Sequence, residues 1–348
     1  MARIIAFFNH KGGVGKTTSS YNVAWGLCKA GKRVLMIDAD AQCNLTEIIV
    51  EDYYLNGDIT DPASVSAYNS EFFYENNVYT YFVDYIQPTP NKVMPTIKTF
   101  KKESMNNLEL LPGSIRFAEL EKSAALSLAN VPGLGHVPSS VYDALRKISK
   151  DVDYVLVDLS PALSSINQLF LMLADYFILP ANPSIFSRQA LTNLGDVFKI
   201  WNRELAGFEV FIKKLKPLPK MLGIICQNYR PYSKEDEKNT KSARRFEEMM
   251  TDLNNHASAL ATSLSGFNMA LTEKEFNSLF VASTPYRIAS IPDFNQLVVI
   301  SEKEKIPVIA LDSVILNKYK INTPQYQQKI NDFIDQYNLV VDGLLKLQ

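Results

Sequence analysis

The sequence predicts a doubly wound α/β fold, a mostly parallel sheet flanked by helices. Short apolar runs without polar alternation predict the strands, at 4–8, 34–37, 108–111, 154–159, 176–179, 222–226 and 308–311. Such runs suit strands buried on both faces. Helix-period segments lie between them and supply the alternation of a doubly wound sheet. A glycine-rich turn at 12–15 follows the first run and opens the first helix.

Each element has its own signal. After the turn, Val23, Leu27 and Ala30 share a helix face, and Gly31 supplies the stop. Segment 139–150 carries Val141, Ala144, Leu145 and Ile148 on one face. Segment 325–348 places Ile330, Phe333, Ile334, Tyr337, Val341, Leu344 and Leu345 at helical spacing, the pattern of a terminal helix docking on the sheet. Two stretches break the rhythm. Residues 51–105 are rich in Tyr, Asn, Asp and Glu, and residues 231–285 are polar and helical. Both are read as elaborations on a single domain spanning 1–348.

Composition narrows the function. With 47% hydrophobic residues in 348, a sizeable core is expected. Thirty-six basic side chains against 37 acidic ones leave a formal charge of −1, so any contact with nucleic acid needs a local patch. Cys28, Cys43 and Cys226 are unclustered, which argues against a disulfide framework, a zinc site or an iron–sulfur cluster. The N-terminal apolar run reads as a strand and not a signal peptide, and no run approaches the roughly 18 apolar residues of a membrane span. A reducing, cytoplasmic setting is expected.

The chemistry concentrates in Asn9-His10-Lys11-Gly12-Gly13-Val14-Gly15-Lys16-Thr17-Thr18. A strand, a glycine-rich turn and a helix N-terminus make a phosphate cradle of inward backbone N–H groups. Residues 12–18 would bind the nucleotide, with Lys16 neutralising β- and γ-phosphate charge. The Thr17 hydroxyl is a hard oxygen ligand for Mg²⁺. His10 reads as a packing or hydrogen-bonding residue. Downstream, the strand at 34–37 ends in Asp38 and Asp40, either a solvated acidic pair or two carboxylates beside the phosphates. The strand at 154–159 carries Asp158 near its end, suited to hold Mg²⁺ through water, and Pro161 follows.

The string Lys11-Gly12-Gly13-Val14-Gly15-Lys16-Thr17-Thr18 resembles the deviant P-loop of the ParA/MinD family of dimerising ATPases, closest to the ParA type. Asp38-Ala39-Asp40-Ala41-Gln42-Cys43-Asn44-Leu45-Thr46 is similar to that family's first switch, with Ala41 where Pro is usual. Asp158-Leu159-Ser160-Pro161 resembles the second. The resemblance implies a P-loop NTPase fold, ATP with Mg²⁺, and a slow, partner-stimulated hydrolysis. It implies catalytic roles for Lys16, for Lys11 across a homodimer, and for Asp40 on the attacking water. Asp38 is placed near the metal with Thr17 and Asp158. Asn228 in Cys226-Gln227-Asn228-Tyr229 approaches the base or caps its own loop, and Pro292 with Asp293 resembles a loop closing over adenine.

ParA-like members bind DNA without sequence preference, partition plasmids, chromosomes or other cargo, and work with a ParB-like or other stimulating protein. On that branch the chain would be nucleoid-associated. Candidate DNA contacts are Lys213, Lys214, Lys216 and Lys220, then Arg244 and Arg245, then Lys318 and Lys320. The MinD-like alternative is a positioning ATPase held to membrane by a basic amphipathic C-terminal helix. Here that segment carries Asp332, Asp335 and Asp342 against only Lys329 and Lys346, which disfavours it. A biosynthetic P-loop ATP-dependent enzyme is the other alternative, though no added catalytic constellation is visible.

Overall fold

The apolar runs fold as β1 (Arg3–Phe7), β2 (Val34–Ala39), β4 (Leu108–Leu111), β5 (Tyr154–Leu159), β6 (Tyr176–Ala181) and β7 (Lys220–Tyr229). The computed structural model describes residues 1–50, 73–87, 97–129, 131–206, 217–229, 240–282, 284–293 and 295–347. With β3 (Phe100–Lys101) and β8 (Arg287–Pro292) these strands make one eight-stranded sheet, in the order β3-β4-β2-β5-β1-β6-β7-β8. All pairs are parallel except β3 with β4. Strands β2 and β5 are buried along their whole length, as runs without alternation require.

The order places β1 between β5 and β6, at the centre. The loop leaving β1 therefore opens over the carboxyl edge of the sheet, where open α/β sheets hold their ligands. Helix α1 (Lys16–Lys29) follows at once, and α2 (Asn44–Ile49) follows β2. The register sets Asp38 beside Asp158 on adjacent strands. One carboxylate each from β2 and β5 is thus brought close to the exit of β1.

Helix α3 (Val78–Ile86) lies inside the 51–105 stretch read as an elaboration of the domain, and its apolar side chains join the core. Val78, Phe82 and Ile86 are buried, and the Tyr81 hydroxyl donates to the Ala144 carbonyl at 2.8 Å. Asn77 caps its N-terminus in a reciprocal box with Thr80. The run at 308–311 is not a strand: it forms a 3₁₀ turn, Val308–Ala310, behind an extended Pro307. Pro307 has no N–H to give a ladder, and the Ile309 N–H instead meets Asn22 Oδ1 at 3.2 Å. Strand β8 carries no clear sequence signal, because Ser290 interrupts its apolar residues.

Helices α4 (Glu121–Leu128), α5 (Val137–Ile148) and α6 (Ser165–Leu173) follow β4 and β5, and α7 (Ile185–Ala206) follows β6. Helices α8 (Thr240–Ser265) and α9 (Glu273–Leu279) separate β7 from β8. After β8 come α10 (Asn295–Glu304), α11 (Ser313–Lys318) and α12 (Pro324–Leu345). Helix α12 packs on β8 and α1 and buries Ile330, Phe333, Tyr337, Val340, Val341 and Leu344. Its apolar face is therefore turned to the body of the protein. Among the described residues no helix is long and apolar enough to cross a membrane.

Candidate nucleotide-binding site

The turn after β1 is anchored before it reaches its glycines. Asn9 is fully buried; its amide donates to the Pro180 carbonyl at 2.8 Å and its oxygen accepts from the Lys11 N–H at 3.0 Å. Gly15 then takes a left-handed φ of 74° and starts α1. The left-handed φ favours glycine there, and a Cβ would also press on the Gln227 side chain at 3.0 Å. Gln227 donates to Ser19 Oγ at 2.7 Å and holds β7 against the first turns of α1.

Lys16 opens α1, is 8% exposed, and reaches back to the Lys11 carbonyl at 3.4 Å. Burial pulls its ammonium below the ordinary lysine range, while Asp158 and Asp40 favour the charged form. His10 is likewise pulled down, by burial and by Lys16. A neutral imidazole beside the turn leaves the positive charge to the lysine.

The three acidic residues part company in detail. Asp40 lines the cleft and accepts the Gln42 N–H at 2.9 Å. Asp38 lies behind it, fully buried, with both oxygens engaged: Oδ2 by the Thr46 N–H and hydroxyl, Oδ1 by the Asp40 N–H. Burial pushes the Asp38 carboxyl up to about 6 despite the two bonds from Thr46. Asp158 is also buried, beside the Thr17 hydroxyl, and burial with Asp38 alongside drives its carboxyl upward. Its Oδ1 has no hydrogen-bond partner.

Around these groups a cleft of about 490 Å³ is lined by residues 12–18, Asp40, Gln42 and Asn44, with Pro161 from the loop after β5. It is also lined by Val298, Ser301 and Glu302 of α10 and by Lys305 just after that helix. Pro292 and Asp293 stand at the exit of β8, before α10, and are not among the lining residues. The Asn228 side chain lies outside the described residues. Asn182 and Ser184, in the loop after β6, also reach the turn, although no sequence motif marks them. Asn182 donates to the Gly13 carbonyl at 3.4 Å, and Lys11 Nζ lies 3.1 Å from Ser184 Oγ. Polar residues at the carboxyl end of a central strand are the signal that points to them.

Mg²⁺ is tested by the oxygen atoms offered. It keeps several waters and binds through one or two carboxylates plus substrate phosphates, not through a dense protein cage. Among the described residues no group of three His, Cys, Asp or Glu forms such a cage. An orphaned, buried Asp158 oxygen beside the Thr17 hydroxyl fits the sparser mode.

Residues 2–207, more than half of the chain, match the family model AAA_31, an AAA domain. The sporulation initiation inhibitor protein Soj of Bacillus subtilis is 27% identical over 205 residues, covering 59% of this chain and 68% of Soj. A virulence plasmid ParA family protein of Chlamydia psittaci is 26% identical over 218 residues, 58% of this chain and 70% of that protein. The chain belongs to the ParA/MinD family of P-loop ATPases. The ATP complex of Cyanothece McdA shares the fold of this ParA-like chain, with a TM-score of 0.59 at 17% identity, over 100% of this chain and 98% of that one.

Proposed function

We propose that this ParA-like chain is a switch that binds ATP with Mg²⁺, dimerises, and hydrolyses ATP slowly to ADP and phosphate. The observation that carries the reading is the division between two lysines of one turn. Lys16 lines the cleft, whereas Lys11 is directed to Ser184, outside the set of lining residues. A lysine aimed away from its own cleft suits a site completed by a second subunit.

In the dimer, Lys16 offsets charge on the transferred phosphoryl group from within. Lys11 of the partner subunit does so from across the interface. Asp40 orients the attacking water; the new bond forms to the γ-phosphorus as the bond to the bridging oxygen of ADP breaks. Thr17 and Asp158 would hold Mg²⁺, with Asp38 adding charge from behind, and the ion when bound offsets phosphate charge. The base lies toward the β7–β8 edge, where Asn228, Pro292 and Asp293 stand. Loss of the γ-phosphate releases the loops after β2 and β5 and ends the dimer.

The dimer acts in partition or cargo positioning by binding DNA without sequence preference, under a ParB-like stimulating protein. Lys213, Lys214 and Lys216, and the side chains of Arg244 and Arg245, lie outside the described residues. Of the other candidates, Lys220 pairs with Glu275 at 3.1 Å and Lys318 with Glu304 at 2.6 Å, which leaves those two less available to phosphate. The docked apolar face of α12 favours this branch over a membrane one. The test is titration of random-sequence duplex with ATP or ADP, beside light scattering for mass and release of inorganic phosphate. Binding with ATP alone, by a species of twice the monomer mass, supports the reading. A monomer in ATP that releases no phosphate overturns it.

A further inference from the structure

The loop carrying Asp40 leaves one buried carboxylate and returns to it. Asp38 Oδ1 receives the Asp40 N–H at 3.3 Å, and Asp38 Oδ2 receives the Thr46 N–H at 2.8 Å. The Thr46 hydroxyl then does two things at once. It donates to Asp38 Oδ2 at 2.7 Å and accepts from the Gly113 N–H at 2.7 Å. It thereby links the first turn of α2 to the loop that leaves β4. Within the loop Cys43 is held at a left-handed φ of 56°, a conformation that persists in a non-glycine residue only when its surroundings enforce it. The packing leaves no slack: a Cβ on Gly113 would lie 2.8 Å from Asp38 Oδ2 and 2.9 Å from Cys43 Sγ.

We infer that Thr46 is a positioning residue for hydrolysis. Its hydroxyl closes the 40–46 loop on Asp38 and ties it to the β4 exit, so that Asp40 faces the phosphate cradle in one orientation. The function needs a group that donates and accepts together, which serine retains and the isosteric valine lacks. Valine would leave the Gly113 N–H unpaired and strip one donor from Asp38, so the loop would loosen while the cradle of residues 12–18 stays intact. The inference rests on the reading that Asp40 orients the attacking water.

The experiment compares Thr46→Val, Thr46→Ser and Asp40→Ala in the full chain. It measures amide hydrogen exchange over residues 40–46, ADP affinity, and phosphate release at saturating ATP. Thr46→Val should speed exchange in this segment and lower kcat about tenfold, with ADP affinity changed by less than about threefold. Thr46→Ser should restore both exchange and turnover. Unchanged exchange in Thr46→Val, or lost turnover in a folded Thr46→Ser, overturns the role of the hydroxyl. Faster exchange with unchanged kcat, where Asp40→Ala has lost turnover, overturns the positioning of Asp40. Wild-type turnover in Asp40→Ala overturns the reading of Asp40 itself and this inference with it, and the exchange data tell that failure from a failure of the latch.

Discussion

Lys11 and Ser184 are 173 positions apart in the chain, yet Lys11 Nζ lies 3.1 Å from Ser184 Oγ. The contact joins the turn after β1 to the loop after β6, and it holds the Lys11 side chain. If Lys11 must reach a second subunit, this contact competes with that reach. A part-buried hydrogen bond contributes about 1 kcal/mol net, roughly a factor of five. Each dimer gives up two such contacts, one per subunit, so Ser184→Ala should lower the protein concentration needed for the ATP-bound dimer by up to about 25-fold. Lys11→Ala should bind ADP normally and fail to dimerise. Sedimentation in ATP checks both, and a Lys11→Ala chain that still dimerises removes the assignment across the interface.

Asp40→Ala should separate binding from turnover. Asp40 lines the cleft, but the cradle itself is residues 12–18 with Lys16, so nucleotide affinity should persist. Phosphate release should fall by about two orders of magnitude or more, as for loss of a general base or water-orienting group. The dimer should then outlive its ATP-loaded form in the native chain. A folded variant that no longer binds ATP would place Asp40 among the groups that hold the nucleotide.

The strands and the cradle were legible because their signals are local. The run 108–111 is β4 to the residue, and Gly15, Lys16 and Thr17 stand where a strand–turn–helix must put them. Relationships that span elements were not legible. Thr46 stood inside a recognised segment, but its bond to Gly113 depends on β4 pairing with β2, which no local pattern shows. Ser184 needed β6 to lie beside β1. Strand β8 is short and interrupted by Ser290, and the apolar 308–311 run lost its strand to Pro307. Helix α3 was obscured by polar neighbours, though Tyr81 and Phe82 turn inward. Phe82 sits 4.9 Å, edge to face, from Phe170.

One ion pair should govern stability away from the site. Arg146 Nη2 lies 2.7 Å from Asp175 Oδ1, and the two side chains are 16% and 19% exposed. Arg146 Nη1 also donates to the Ala2 carbonyl at 2.9 Å, and the Ile4 N–H donates to Asp175 Oδ2 at 2.9 Å. The pair ties α5 to the start of both β1 and β6. Arg146→Met removes one partner and leaves a largely buried carboxylate, a change costing about 2–3 kcal/mol after allowance for partial exposure. Urea unfolding should show a lower midpoint with an unchanged slope, and nucleotide affinity below the transition should match the native chain.

The thiols give a prediction with a definite pH sign. Burial pushes Cys28 up to about 12 despite a backbone hydrogen bond from Val34, and Cys226 up to about 12 despite nearby Arg287. Only the thiolate reacts, so at pH 8 both should be alkylated about a thousandfold more slowly than in the unfolded chain. The same shift links stability to pH. Above about 9 the unfolded thiols lose protons that the folded ones keep, so stability present below that pH is lost as pH rises toward the folded value. Each buried thiol contributes a slope of up to about 1.4 kcal/mol per pH unit. Urea midpoints for the native chain should fall between pH 9 and 10.5, and Cys226→Ala should fall less steeply. Equal slopes for the two chains, or rapid alkylation of the folded protein at pH 8, would show that Cys226 is not held as a buried, neutral thiol.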